Sequence, residues 1–296
     1  MHILSLVGEQ PIPSLTILRF LKPSSLTLIY TDRSREVANR VAELLKADHK
    51  WTLEVPAYQL VEIRDRLTRH VEEIKRNLGE EKVSFDLTGG TKPMAFAAYD
   101  IARSNMAHVY YLRSQKESVL FEYKFTTKGL EHVTTTAIRD ALFDLEDYLH
   151  AYLGRTFKIT GPCRDEPGRS FELAVIETLK GVVDELKSGV RFGGALDLDL
   201  VLRLKTKVGV AELKTGGKAK EKRPLEQVNA ACGRAFLGTY TKKLLIVDRE
   251  IGPNLHSLAE AWNVKVIELP SFGERQELSP EDKEKLKAEV CRHLGG

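Results

Sequence analysis

From Leu196 to Lys220 the chain alternates apolar and polar residues through Leu198, Leu200, Leu202 and Leu204, turns at a Lys-Thr-Lys, and resumes from Val208 to Lys214. A period of two commits the stretch to a hairpin with one buried face. Asp197, Asp199, Glu212 and Lys214 all fall at the end far from the turn. A two-residue loop at Lys205-Thr206 puts Asp199 across from Glu212, and Asp197 across from Lys214, on one face. Slipping the register by one residue would undo both pairings. Facing carboxylates repel unless something positive lies between them, and a hard divalent cation with oxygen ligands is the usual answer. The plain alternative is a solvated hairpin end closed by a salt bridge.

Glu212-Leu213-Lys214 is an E-x-K tripeptide. Alone it says little, because the tripeptide starts at Glu73, Glu80, Glu122, Glu185, Glu212 and Glu281. The Glu73, Glu185 and Glu281 copies fall in helical patterns and the Glu80 copy in a turn, while Glu122 lies on a strand pattern that follows no acidic strand. Only Glu212 has an acid-bearing partner strand.

At 296 residues the chain has room for two domains of ordinary size. Its 42% hydrophobic and 29% charged residues suit a soluble globular protein. No apolar run approaches the roughly 20 residues needed to cross a bilayer, so no membrane partner is expected. The opening MHILSLVGEQP is too short and too polar-flanked for a signal peptide, and a cytoplasmic location follows. Cys163, Cys232 and Cys291 are scattered, without zinc spacing, and read as reduced structural thiols. A net charge of +3 does not establish a nucleic-acid partner. The gathered run Lys214, Lys218, Lys220, Lys222 and Arg223 is either a phosphate-tracking loop or a solvated one.

Strand and helix patterns alternate in the first half: strands at Ile3–Val7, Leu26–Tyr30, Trp51–Val55, Lys82–Leu87 and His108–Leu112, and a hairpin edge formed by Ser118–Phe125 and His132–Thr136. This predicts a doubly wound α/β sheet with ligands bound beyond the carboxyl ends of its strands. Gly8 to Pro13, Thr31 to Ser34 and Thr88 to Lys92 all lie at such ends and should converge. In Thr88-Gly89-Gly90-Thr91-Lys92 the glycines let backbone approach a ligand, and a following helix start favours an anion. A plain strand-to-helix turn is the alternative. Ile138 to Leu153 reads as one amphipathic helix joining two domains, Phe171 to Lys187 as a helix with Glu172 in its first turn, and Leu225 to Phe236 as another carrying Gln227.

The strand-one loop Val7-Gly8-Glu9-Gln10-Pro11 and the run Asp86 to Met94 resemble the CARF domain, the CRISPR-associated Rossmann-fold sensor of cyclic oligoadenylates. Asp199 with Glu212-Leu213-Lys214 resembles the active-site hairpin of the PD-(D/E)XK nucleases, and the order helix, acidic strand, E-x-K strand, helix, strand matches that restriction-endonuclease-like core. Together they resemble compact CRISPR ancillary nucleases switched on by cyclic tetra-adenylate. The resemblance implies a sensor domain over residues 1–136, a linker helix and loop over 137–160 and a nuclease domain over 161–296. It implies that Gly8, Glu9, Gln10, Pro11, Ile12, Asp32, Arg33, Thr88, Gly89, Gly90, Thr91 and Lys92 meet cyclic tetra-adenylate in a homodimer, whose two-fold axis matches the ligand's. The linker helix then acts as a lever or as a passive spacer. Mg2+ or Mn2+ would be bound by Asp199, Glu212 and the Leu213 carbonyl, and by Glu172 if it reaches. Lys214 would orient water or offset charge, and Gln227 would stand near the site. The substrate would be DNA, RNA or both. Asp197 stands where a glutamate is commoner, which makes a direct metal role for it doubtful. Two other functions remain open: a ring nuclease that degrades its own signal, and a non-catalytic nucleic-acid-binding regulator.

Overall fold

The computed structural model describes residues 1–79, 82–114 and 117–295. The chain divides into two compact units, Met1–Phe143 and Asp144–Gly296.

The first unit runs β1 (His2–Leu6), α1 (Pro11–Leu21), β2 (Ser25–Tyr30), α2 (Arg35–Leu44), β3 (His49–Glu54), α3 (Leu60–Leu78), β4 (Val83–Asp86) and α4 (Lys92–Ser104). It ends with β5 (His108–Arg113), β6 (Ser118–Thr126) and β7 (Gly129–Ile138). The sheet order is β3-β2-β1-β4-β5-β6-β7, parallel from β3 to β5 and antiparallel beyond. Winding goes outward from β1 to β3, then returns to β4 on the other side of β1. The β1/β4 crevice is therefore the switch point where such sheets bind ligands. β1 and β4 are buried throughout, as strands covered by helices on both faces must be. The apolar stripes of α3 (Ile63, Leu67, Val71, Ile74) and α4 (Met94, Ala97, Ala98, Ile101) close one face over Leu4, Leu6 and Phe85.

The second unit runs α5 (Leu145–Leu153), β8 (Phe157–Ile159), α6 (Gly168–Leu179), β9 (Glu185–Phe192), β10 (Leu196–Leu204), β11 (Lys207–Lys214) and α7 (Arg223–Ala231). It closes with β12 (Lys242–Val247), α8 (Pro253–Ala261), β13 (Val264–Glu268), α9 (Pro270–Arg275) and α10 (Pro280–Gly295). Its sheet order is β13-β12-β11-β10-β9-β8. Phe171, Val175 and Leu179 of α6, with Leu286, Val290 and Leu294 of α10, bury the face that carries Leu200, Leu202, Ala211 and Leu213.

The helix expected over Leu225–Phe236 spans Arg223–Ala231, and two other expected elements differ more. The helix expected through Lys187 stops at Leu179, because Gly181 turns the chain with φ +75, and the Glu185 copy of E-x-K then opens β9. Val182, Val183 and Leu186 continue a helical period by coincidence, which hid this strand. The helix expected over Ile138–Leu153 begins only at Leu145: Ile138 still pairs with Ser118 in the sheet, and Asp144 accepts a bond from the Asp147 N–H as N-cap. That helix belongs to the second unit. The Glu80 copy of E-x-K lies outside the described residues.

Candidate functional site

In the first unit the loops after β1 and β4 are packed backbone to backbone. A side chain at Gly89 would lie 2.1 Å from the Leu6 carbonyl oxygen and 2.9 Å from the Gly8 nitrogen, so only hydrogen fits. Gly90 adopts φ +74. Thr91 caps α4, and its hydroxyl donates to the Ala57 carbonyl at 2.6 Å, tying this loop to the one after β3. Lys92 is exposed at the first helical position. Ser34 donates to the Val7 carbonyl at 3.0 Å and brings in the loop after β2. The four loops thus converge at the carboxyl edge of the sheet. A cleft of about 370 Å³ there includes Thr31, Asp32, Arg33, Glu54, Ala57 and Arg66. Glu9 reaches Arg33 at 3.0 Å, while Pro11 and Ile12 open α1. Gln10 precedes them as its N-cap.

Asp86, the first residue of the run that carries the CARF resemblance, anchors this edge with Ser5, a partner the sequence did not single out. Asp86, fully buried at the end of β4, accepts from the Ser5 hydroxyl at 2.6 Å and from the Thr88 N–H at 2.9 Å. Burial raises its pKa, although these donors favour the charged form. The Thr88 hydroxyl in turn accepts the Leu112 N–H at 2.9 Å. The available signal was an acid closing an otherwise apolar strand.

In the second unit the ladder runs Leu200↔Ala211 to Leu204↔Lys207, with Lys205 alone at the turn in a left-handed conformation, φ +52. Continued one step, this register sets Asp199 opposite Glu212. The positive group between the two acids is the chain's own: the Lys214 ammonium lies 2.8 Å from Asp199 Oδ2 and 2.7 Å from Glu212 Oε1. Asp199 Oδ2 also accepts the Leu213 N–H at 2.7 Å, and the Leu213 carbonyl accepts from Lys214 at 2.9 Å. Asp197 does not meet Lys214. It pairs with Arg191 of β9 at 3.1 Å, a partner visible only once that strand exists.

Glu212 is 2% exposed, and its Oε2 has no hydrogen-bond partner among the described residues. Burial, with Asp199 adding, pushes its carboxyl up to about 7. Burial works against the Lys214 charge, but Glu212 and Asp199 outweigh it and raise its pKa. Glu172 of α6, 3% exposed, accepts the Cys163 N–H on Oε2 at 2.8 Å, and its Oε1 has no partner among the described residues. Its pKa is raised by burial; the Asp199 charge raises it further, and Lys214 lowers it. Burial first, then Glu172 and Asp199, push the Cys163 thiol up to about 11. Glu172, Cys163 and Asp199 therefore form one electrostatic neighbourhood with Lys214. Gln227 is half-buried on α7 and makes no side-chain hydrogen bond among the described residues. Lys218, Lys220, Lys222 and Arg223 are exposed; Lys222 pairs with Glu226 at 3.0 Å and lies over the Trp262 ring.

No group of three or more His, Cys, Asp or Glu side chains among the described residues is arranged to hold a metal ion. The Lys214 ammonium lies between Asp199 and Glu212. The donor set still fits a hard cation, since Glu172 Oε1 and Glu212 Oε2 are buried acceptors with nothing to accept.

Residues 2–140 match the family model described as the Card1 CARF domain. The first unit is a CARF domain. No curated protein matches the chain by sequence. Among solved structures, Can2 from Sulfobacillus thermosulfidooxidans in complex with cyclic tetra-adenylate aligns over 100% of this chain and 97% of its own, with TM-score 0.71 and 14% identity. Protein VC1899 from Vibrio cholerae aligns over 99% and 97%, with TM-score 0.74 and 14% identity. A type III CRISPR defence DNA nuclease activated by cyclic oligoadenylate aligns over 84% of this chain and 45% of its own, with TM-score 0.58 and 17% identity. These likenesses extend the shared α/β fold past the CARF domain to the second unit. Within the CARF domain, the β1/β4 crevice bounded by Gly8 and Gly89 is the place such a sheet offers a ligand.

Proposed function

We propose that this protein is a metal-dependent nuclease switched on by cyclic tetra-adenylate, cleaving DNA, RNA or both in type III CRISPR antiviral defence. One observation carries the reading: Asp199, Glu212 and Lys214 meet at the open end of one hairpin, beside Glu172, with two buried carboxylate oxygens left unpartnered. Structural charge networks usually satisfy their buried acceptors. Two unsatisfied ones, one of them on the carboxylate that Lys214 holds, fit a site kept for a further cation.

Asp199, Glu212, the Leu213 carbonyl and Glu172 would hold Mg2+ or Mn2+. Such an ion, when bound, polarises the scissile phosphate and lowers the pKa of a coordinated water. Lys214 has two tasks in turn. In the free protein it neutralises Asp199 and Glu212; released from them, its ammonium is free to orient water or to offset charge developing on the phosphate. The exposed Lys218 to Arg223 segment adds positive charge for the substrate backbone, and Gln227 is assigned a place at the edge of the site.

In the CARF domain, Gly8 to Ile12, Asp32, Arg33 and Thr88 to Lys92 would bind the ring's phosphates and riboses through backbone N–H groups, hydroxyls and cations. A two-fold ligand suits a homodimer, and it drives a switch only by the difference between its affinities for the two states. Can2, bound to cyclic tetra-adenylate, supports the ligand class. Cleavage of DNA and RNA by intact protein and by Glu212→Ala, with and without the ligand, tests the proposal. Metal- and ligand-dependent cleavage lost in the variant supports it. Cleavage that ignores the ligand, or survives the substitution, overturns it. Destruction of the ring by the CARF domain would point instead to a ring nuclease, and nucleic-acid binding without cleavage to a regulator.

A further inference from the structure

The loop that leaves the hairpin after Lys214 is held from the neighbouring strand. β11 and β12 run parallel with Lys214 paired to Val247, and the next N–H along, that of Asp248, donates to the Lys214 carbonyl at 3.3 Å. Asp248 is 3% exposed, and both its carboxylate oxygens accept the Gly216 N–H, at 3.1 and 3.0 Å. Gly273 of α9 packs on its backbone: a side chain there would lie 2.5 Å from the Asp248 carbonyl oxygen. Gly216 turns the loop with φ +62, and Ala219, fully buried, seats it while Lys218 and Lys220 stay exposed.

Arg249 closes a fork on the same carboxylate, Nε donating to Oδ1 at 2.8 Å and Nη2 to Oδ2 at 3.1 Å. A side chain on Gly216 would lie 3.9 Å from Nη2, so the guanidinium rests against the loop two residues after Lys214. The Arg249 side chain is nevertheless 37% exposed. A guanidinium carries five N–H donors in one plane; the fork engages Nε and Nη2, and Nη1 makes no hydrogen bond among the described residues. An arginine already oriented by a buried carboxylate loses little side-chain freedom when it takes an anion, and its planar donors suit a phosphate. We infer that Arg249 binds a backbone phosphate of the nucleic-acid substrate, and that Asp248 is a positioning residue fixing this guanidinium and the Gly216 loop together. Arg249 takes no part in bond breaking; it adds affinity and sets where the strand lies relative to Lys214. The plain alternative, that Arg249 only neutralises Asp248, predicts lower stability and unchanged binding.

The inference rests on the reading that the open end of the hairpin meets nucleic acid, and its test does not depend on cleavage. Intact protein is titrated into a labelled DNA duplex and a labelled single-stranded RNA of the same length, in chelator, with and without cyclic tetra-adenylate, over a range of salt, and anisotropy is recorded. Arg249→Gln should bind about tenfold more weakly, with the slope of log affinity against log salt reduced by about 0.9 on the duplex or about 0.7 on the single strand. Arg292→Gln should bind as wild type: it removes an equal charge from α10, whose Leu294 and Gly295 pack by Gly209 and Leu204 at the turn end of the hairpin. Asp248→Asn keeps the Arg249 charge and should weaken binding without changing the slope. Arg249→Lys keeps a cation for Asp248, which guards against a folding defect, and should still bind at least about threefold more weakly, because an ammonium has no fork. Far-ultraviolet spectra and melting curves establish which variants fold. A folded Arg249→Gln protein that matches Arg292→Gln in affinity and slope, or Arg249→Lys equal to wild type, overturns the inference even if ligand-dependent cleavage is found. Asp248→Asn binding as wild type overturns the positioning role. Arg249-dependent binding in a protein that never cleaves upholds the inference while removing the nuclease reading, and a wild type that binds neither nucleic acid overturns both.

Discussion

Replacing Glu212 by glutamine, with metals removed, is expected to stabilise the second unit above neutral pH and to leave it nearly unchanged in acid. A free glutamate titrates near 4.5, whereas burial and Asp199 hold Glu212 near 7 in the folded chain. The folded state thus keeps a proton that the unfolded state has released. For an acid raised in this way, stability is complete below pH 4.5 and declines as pH rises toward 7. At about 1.4 kcal/mol per pH unit, that interval amounts to about 3 kcal/mol, an upper bound because Lys214 relaxes with the charge. Glutamine matches the protonated carboxyl in shape and carries no charge, and Lys214 keeps Asp199 as its partner. The difference between variant and wild type should therefore grow from near zero at pH 4 to between about 1 and 3 kcal/mol at pH 8. Urea unfolding with chelator present, followed at several pH values through Trp262 fluorescence, measures it. Adding Mn2+ should then reverse the order, since the wild type gains binding free energy that the variant has lost. A glutamine variant no more stable than wild type at pH 8, or a gain that does not vary with pH, would refute the reasoning.

Lys214→Met leaves Asp199 and Glu212 facing each other uncompensated, and metal-free protein should lose about 3–5 kcal/mol; saturating Mn2+ should recover much of the loss in a thermal melt, where a merely structural salt bridge would show no rescue. Gly89→Ala drives a methyl into the Leu6 carbonyl and the Gly8 nitrogen. It should destabilise the CARF domain by more than about 3 kcal/mol or open the crevice and abolish cyclic tetra-adenylate binding by calorimetry, while the melting transition of the second unit is unmoved.

The hairpin was legible because its alternation is strict, its turn is short, and one face must be buried, so a single register satisfies Leu200, Leu202 and Ala211 together. The convergence of the loops after β1, β2 and β4 was legible for a similar reason: a doubly wound sheet sends those ends to one edge. What stayed hidden depends on contacts far apart in sequence. β9 was masked by apolar spacing that continued the preceding helix, and without β9 the Arg191 partner of Asp197 had no place. The position of the Lys214 ammonium between the acids follows from side-chain reach, not from pattern. The Cys163 contact to Glu172 needs the loop before α6 to fold back, which nothing in residues 160–170 announces.

The glycine contact between the loops after β1 and β4 has a mechanical consequence. With Gly89 seated on the Leu6 carbonyl and Gly8 against Gly90, no gap lets one loop shift while the other stays. The two behave as a single jaw. Under the proposed function, tuning for a larger or smaller ring must then come from the loops after β2 and β3, which touch this jaw through the Ser34 and Thr91 hydroxyls.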